Sequence, residues 1–305
     1  MHQNLALFGH SLIIFMKLKL ALILSLIIGT SLLMGQKKVI LIGVDGLGAY
    51  AFEKAEIPNI RRLMKEGSYS LKARCVLPSS SAVNWASILT GSPPELHGFT
   101  KWGSKTPEIK PIVKGEEEIY PTIFTVLEQQ KPKAIKGAIY TWGGISHLIE
   151  KSILDKYSNP ETDSSTIAKS IRFIVDESPV FTFIHLDEPD HTGHVIGHDT
   201  PEYYTALEEI DALLGSFMEQ LEQEGVLKDY IIVFTADHGG VGKGHGGKSL
   251  REMEIPWIIW GRKIKENHEI SDAIITYDTG TTIAKILGVK PPKSWRGKVV
   301  TDAFK

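Results

Sequence analysis

The 305-residue chain is 42% hydrophobic and sets 34 Lys plus Arg against 36 Asp plus Glu, a formal net charge of -2. That length allows one large α/β core or two small ones. The near balance of charge excludes a global field that would gather a nucleic-acid duplex or an anionic membrane surface, so any anionic substrate would have to be gripped locally.

Residues 1–35 read as a targeting segment. Met16-Lys-Leu-Lys-Leu begins a short basic stretch, and residues 21–34 follow as an apolar run with small residues toward its end. The run is shorter than the roughly 20 residues a membrane-spanning helix requires. It therefore predicts a signal peptide cleaved near Gly35, with export to a periplasm or the cell exterior, rather than a retained anchor. No stable membrane span is expected beyond it, and residues 1–15 read as a misplaced upstream start. Cys75 is the single cysteine. It excludes an intramolecular disulfide and lies too far along the chain to be a lipid-modified cysteine following such a leader.

From residue 38 the chain alternates two patterns. A continuous apolar, β-branched run at 38–44, ended by Asp45-Gly46, has the character of a strand buried on both faces. Similar runs recur at 134–140, 180–186, 230–235 and 255–260. Helical periodicity occupies 59–66, 83–89, 120–130, 162–175, 201–224 and 278–287, with Gly91, Gly225 and Gly288 placed as C-terminal stops. The alternation predicts an α/β fold with a largely parallel central sheet and helices on both faces. No repeat or linker divides 36–305, which is expected to be one domain with a small lid at 99–120.

Three of the strand candidates lead into metal-ligand residue types. VILIGV precedes Asp45, FTFIHL precedes Asp187-Glu-Pro-Asp190-His-Thr-Gly-His194, and YIIVFTA precedes Asp237-His238. Ligand sites of open α/β sheets lie at the carboxyl ends of strands, so three segments deliver carboxylates and imidazoles to one edge. His245, in Gly-Lys-Gly-His-Gly-Gly, sits in a glycine-rich loop able to fold back over that edge. Any one Asp at a strand end is ordinarily a cap or turn residue; the joint occurrence is what points to metal. Six Asp and His ligands suit two divalent ions, zinc or a similar first-row metal, which can clamp the attacking and leaving oxygens of an in-line phosphoryl displacement. A nucleophile is offered by Leu77-Pro-Ser-Ser-Ser81-Ala-Val-Asn84, a serine cluster at the start of a helix, where free N–H groups favour an alkoxide and a phosphate. The spacing does not choose among Ser79, Ser80 and Ser81.

These segments, in this order, resemble the alkaline phosphatase superfamily over roughly residues 38–300, most closely its type I phosphodiesterase / nucleotide pyrophosphatase branch. In that family a Thr or Ser nucleophile is followed three residues later by Asn, then by Thr-Gly and Pro-Glu-x-His-Gly. Ser81, Asn84, Thr90-Gly91 and Pro94-Glu-Leu-His97-Gly98 match it. The resemblance implies Ser81 as nucleophile with Asn84 at the catalytic site, one metal on Asp190, His194 and His245, and the other on Asp45, Ser81, Asp237 and His238. It also implies a phosphodiesterase or nucleotide pyrophosphatase activity, with a phosphomonoesterase or a phosphoethanolamine transferase-like enzyme as alternatives. A sulfatase is disfavoured because Cys75-Val-Leu-Pro78 has the wrong spacing and no Arg follows, and a binding protein without turnover is disfavoured by a complete ligand set.

Two positions depart from the family pattern and bear on the substrate. The aromatic residue expected directly after the nucleophile is Ala82, and the phosphate-binding Asn expected shortly after His-Gly is replaced near Trp102. Trp85, Trp102 and Trp142 are candidates to wall a pocket, and Lys101, Lys243 and Lys248 are candidates to face a phosphate. His97 is expected to be structural. His185, His191 and His198 are expected to support the ligands or meet solvent.

Overall fold

The computed structural model describes residues 37–305; the targeting segment read at 1–35 lies outside the described residues. Eight strands form one sheet: β1 (Lys38–Val44), β2 (Ser68–Arg74), β3 (Lys136–Tyr140), β4 (Lys156–Ser158), β5 (Phe181–Leu186), β6 (Tyr230–Ala236), β7 (Glu254–Trp260) and β8 (His268–Glu269). Their order across the sheet is β4-β3-β5-β1-β6-β7-β2-β8. β7 alone among these strands runs against the others. The parallel block arises because the strands up to β6 are joined in sequence by helical crossovers. Between β6 and β7 the chain has no such crossover, since residues 237–253 form a loop and one short helix, Leu250–Met253, and the chain returns antiparallel.

Every residue of β3, β5 and β6, on both side-chain parities, is buried, as are the last six of β1. A strand buried on alternate sides has both faces covered. The long helices supply the cover in two groups. Pro58–Glu66, Asp163–Glu177 and Pro201–Gln223 pack together, and Ser81–Thr90, Ile123–Gln130 and Asp278–Leu287 form the second group. Each fully buried Val, Leu or Ile of the central strands contributes about 1.5–3 kcal/mol of transfer free energy, so the middle of the sheet is a stiff platform. Helix starts follow from side-chain caps: Thr122, Thr162 and Thr200 accept from Phe124 N, Ser165 N and Tyr203 N. Gly91 and Gly288 cap their helices in the left-handed region at φ 56 and 66, as the sequence indicates.

β2 pairs with β7 through an irregularity in which Ser70 faces Trp257 and Ala73 faces Ile255. Pro256 stands between those partners with no N–H to donate, and the ladder bulges around it. The 99–120 segment is tied back to the nucleophile region by Ile109 N to Gly98 O (3.1 Å), Ile112 N to Leu96 O (3.1 Å) and Ala82 N to Trp102 O (3.2 Å).

Candidate functional site

Because β1 lies between β5 and β6, with Val44 level with both Leu186 and Ala236, the next residues of all three strands emerge side by side. Asp45 follows β1 directly and Asp237-His238 follow β6. After β5, Asp163 caps the turn by accepting Asp187 N (2.8 Å) and Glu188 N (3.0 Å), and the helix Asp190–Val195 begins. Asp190 and His194 are one helical turn apart and therefore on one face, with Oδ2 and Nε2 at 3.2 Å. Gly46 makes the convergence possible: it sits at φ +65, and a Cβ there would stand 2.3 Å from Asp190 Oδ1.

The donor atoms fall into two groups, Asp190 with His194 and His245, and Asp45 with Asp237 and His238. These are the Asp and His members of the two sets the resemblance implies, the second of which also includes Ser81. The rings of His238 and His245 stack with centroids 3.8 Å apart, so the groups adjoin. Ser81 Oγ lies 3.1 Å from His238 Nε2 and 3.5 Å from Asp45 Oδ1. Ser79 Oγ instead donates to Gly247 O and accepts from Gly246 N, and Ser80 is the helix N-cap residue. Of the three serines, Ser81 alone is placed between ligand candidates.

All three histidines turn Nδ1 toward a backbone carbonyl: His238 to Gly239 O (3.0 Å), His194 to Lys243 O (3.1 Å) and His245 to Ser79 O (3.1 Å). With the Nδ1 proton donated there, each Nε2 faces its group as a ligand atom. Asp190 Oδ1 and Asp237 Oδ2 are buried without a hydrogen-bond partner among the described residues, and His194 Nε2 faces His245 Nε2 at 3.1 Å. Carboxylate oxygens and imidazole nitrogens directed at one another form a donor set that fits divalent cations.

The titration behaviour agrees. Burial holds His238 down to about 4, neutral as a ligand must be. Burial, reinforced by the charge of Asp45, pushes Asp237 well above the usual carboxylate range. Burial opposes ionisation of Asp45 too, yet its hydrogen bond and charge interaction with His185, with help from His238 and Trp85, hold it below that range. The Asp190 hydrogen bond raises His194 to about 9, so in the metal-free chain a proton stands where a cation would replace it.

Two residues support Asp45: His185, for which a supporting place beside the ligands was one of the two expectations, and Trp85, for which a pocket wall was expected. Asp45 Oδ2 accepts from Trp85 Nε1 (3.0 Å) and meets His185 Nε2 at 2.9 Å, which leaves Oδ1 toward Ser81 and His238. Trp85 is fully buried and is a hydrogen-bond donor to a ligand candidate, not a pocket wall. The signal for His185 was an imidazole inside an otherwise apolar strand; only the register, which pairs it with Gly43 two residues before Asp45, gives it a partner. His97 is structural, meeting Ser87 Oγ at 3.0 Å and accepting Phe99 N, and His191 is exposed. Asp187 joins neither group, and burial raises its carboxyl to about 6. Lys243 Nζ donates to Val195 O.

Asn84 is not directed at the donor groups. Its Oδ1 accepts Val76 N (2.8 Å), and its Nδ2 lies 3.2 Å from the carbonyls of Val76, Pro78 and Ser80. It shapes the 76–80 loop that presents Ser81, a positioning role. Asn84→Ala strands these buried groups and is expected to cost about 1–3 kcal/mol, read as a lowered urea midpoint. An unchanged midpoint would show the loop holds its form without the amide.

A model of the type I phosphodiesterase / nucleotide pyrophosphatase family matches residues 39–243. The chain belongs to this family. Among relatives, a venom phosphodiesterase of Macrovipera lebetinus is 28% identical over 224 residues, 67% of this chain and 26% of that protein. Ectonucleotide pyrophosphatase/phosphodiesterase family member 3 of Rattus norvegicus is 29% identical over 221 residues, 67% of this chain and 25% of its own. The chain thus spans about a quarter of the length of the curated relatives it matches. Murine ectonucleotide pyrophosphatase / phosphodiesterase 5, solved as an inactive variant in complex with AMP, shares the fold with TM-score 0.73 at 17% identity, covering 88% of this chain and all of that one. The human counterpart gives 0.74 at 16% identity. Membership of the type I phosphodiesterase / nucleotide pyrophosphatase family agrees with the sheet described above and with the expectation from the motifs.

Proposed function

We propose that the chain is a two-metal phosphoric ester hydrolase of the phosphodiesterase / nucleotide pyrophosphatase type, with Ser81 as nucleophile and zinc as the metal. The observation that carries the reading is the position of Ser81 Oγ, 3.1 Å from His238 Nε2 and 3.5 Å from Asp45 Oδ1, beside a second donor group joined through the His238–His245 stack. Two divalent cations would supply charge neutralisation at the phosphoryl oxygens and acidify the Ser81 hydroxyl. The chain's residues do the rest. Asp45, Asp237 and His238 hold one side, and Asp190, His194 and His245 hold the other. Ser81 Oγ forms a bond to phosphorus as the leaving oxygen departs, and water then cleaves the serine ester.

The substrate is a small phosphodiester or pyrophosphate with a ring-bearing substituent. Ala82 offers no ring, but its backbone N–H binds the carbonyl of Trp102 (3.2 Å), and Trp102 is 64% exposed. An exposed indole is thereby anchored at the first turn of the nucleophile helix, where base stacking contributes about 1–3 kcal/mol. With zinc present, p-nitrophenyl thymidine monophosphate should be turned over faster than bis-p-nitrophenyl phosphate, and both faster than p-nitrophenyl phosphate. Trp102→Ala should narrow the first gap by raising KM for the nucleotide ester. A preference for the monoester would refute the diesterase reading.

Residues 36–305 are proposed as one catalytic domain behind an export leader at 1–35. The basic stretch and short apolar run at the N-terminus support export. Among the described residues no helix is long and apolar enough to cross a membrane.

A further inference from the structure

His198 belongs to neither donor group, yet it is placed as if it served one. Its side chain is fully buried, and both ring nitrogens lack a hydrogen-bond partner among the described residues. Nε2 lies 3.6 Å from Asp190 Oδ1, itself buried and unpartnered. Two complementary orphans this close, an imidazole N–H and a carboxylate oxygen, satisfy each other with a small rotation of either side chain.

The surroundings are built to hold the ring there. A Cβ on Gly193 would stand 2.5 Å from His198 Nε2, and one on Gly240 2.3 Å from the same atom. The imidazole is therefore slotted between two backbones that approach closely only because they are glycine. Tyr203 closes another side, its ring centroid 5.3 Å from that of His198, and Tyr203 OH donates to Gly46 O (2.8 Å), the backbone against which Asp190 rests. The main chain of His198 donates to Gly242 O (2.7 Å), in the loop that presents His245.

We propose that His198 is the positioning residue of the Asp190 site: its Nε2–H bonds Asp190 Oδ1 and so directs Oδ2 toward the Nε2 atoms of His194 and His245. The proposal rests on the reading that this group holds a cation. Carboxylate ligands of metal sites are commonly oriented in this way, and loss of such a partner weakens metal affinity about 10–100-fold.

The test is a competition titration of zinc into the chelator-stripped full chain. The wild type should bind two equivalents. His198→Phe, which keeps a flat ring and removes the donor, should weaken one equivalent by about 10–100-fold and leave the other unchanged, and His198→Gln, which restores an N–H, should recover most of the loss. Should His198→Phe fail to fold, Gly240→Ala displaces the ring by its methyl group and carries the same expectation. Two undiminished equivalents in His198→Phe would overturn the proposal, as would a Gln variant no better than Phe, which would make the role one of packing. A wild type that binds no zinc would instead overturn the metal reading beneath it.

Discussion

Ser81→Ala is expected to lower kcat for a phosphodiester by a factor on the order of 10³ or more while leaving two equivalents of zinc bound. The size of the effect follows from the role: without Oγ no covalent ester can form, and water would have to attack directly in a site shaped around a serine. Metal binding should survive because each donor group keeps three Asp or His residues, and the hydroxyl adds only a neutral oxygen to one of them. The neighbouring serines are the control. Ser79 Oγ is engaged by Gly246 N and Gly247 O on the loop that carries His245, so Ser79→Ala should loosen that loop and raise KM more than it lowers kcat. Ser80 is buried and contacts neither group through a hydrogen bond, and Ser80→Ala should be mild. Substantial turnover by Ser81→Ala, with zinc content intact, would remove the nucleophile from this mechanism.

The choice among the three serines depends on backbone geometry that residue spacing does not carry. Spacing placed all three at one helix start, and only the turn of the backbone at 79–81 separates the serine aimed at Asp45 and His238 from the two that are not. The ligands were legible because each follows an apolar strand, and strands of one parallel block end at one edge. β1, β5 and β6 could be read from continuous β-branched runs. β4 and β8 could not, having three and two residues, and β2 alternates Tyr, Leu and Ala with Ser, Lys and Arg in a way that a surface segment also would. The direction of β7 was hidden for another reason: periodicity reports burial, not polarity of the chain, and only the missing crossover after β6 hinted at a reversal. Trp85 and His185 illustrate the same limit at the site. Their types are visible, but the His185 bond to Asp45 Oδ2 exists only because β1 and β5 pair in one register, and the Trp85 bond only because the helix Ser81–Thr90 lays its indole against Gly43 of β1.

Asp237→Asn should separate stability from function. Asp237 Oδ1 accepts Gly46 N (3.1 Å) and His238 N (2.9 Å), whereas Oδ2 has no hydrogen bond and lies 3.1 Å from His238 Nε2. An Asn keeps the first acceptor and places an N–H donor opposite the imidazole nitrogen. In the metal-free protein, burial and the charge of Asp45 raise the Asp237 carboxyl above its unfolded value. A raised carboxyl contributes stability that is fully present below the unfolded pKa and is lost as pH rises through the folded one. At pH 7.5 the stripped wild type therefore carries an uncompensated cost that Asn avoids, and the stripped variant should melt higher, by about 2–4 °C for each kcal/mol relieved. The gap should shrink as pH falls toward the unfolded pKa, below which the carboxyl is protonated in both folded and unfolded states. Zinc should reverse the order: at about 100 times its dissociation constant a bound ion adds about 2.7 kcal/mol to the wild type, while the variant, short of a charged ligand, loses one equivalent of metal and its turnover. Calorimetric melting of both proteins with chelator and with zinc measures all four states. A stripped Asp237→Asn protein that melts below stripped wild type at pH 7.5 would show that the buried carboxylate is compensated without a cation, and that the Asp45, Asp237 and His238 group is not strained toward binding one.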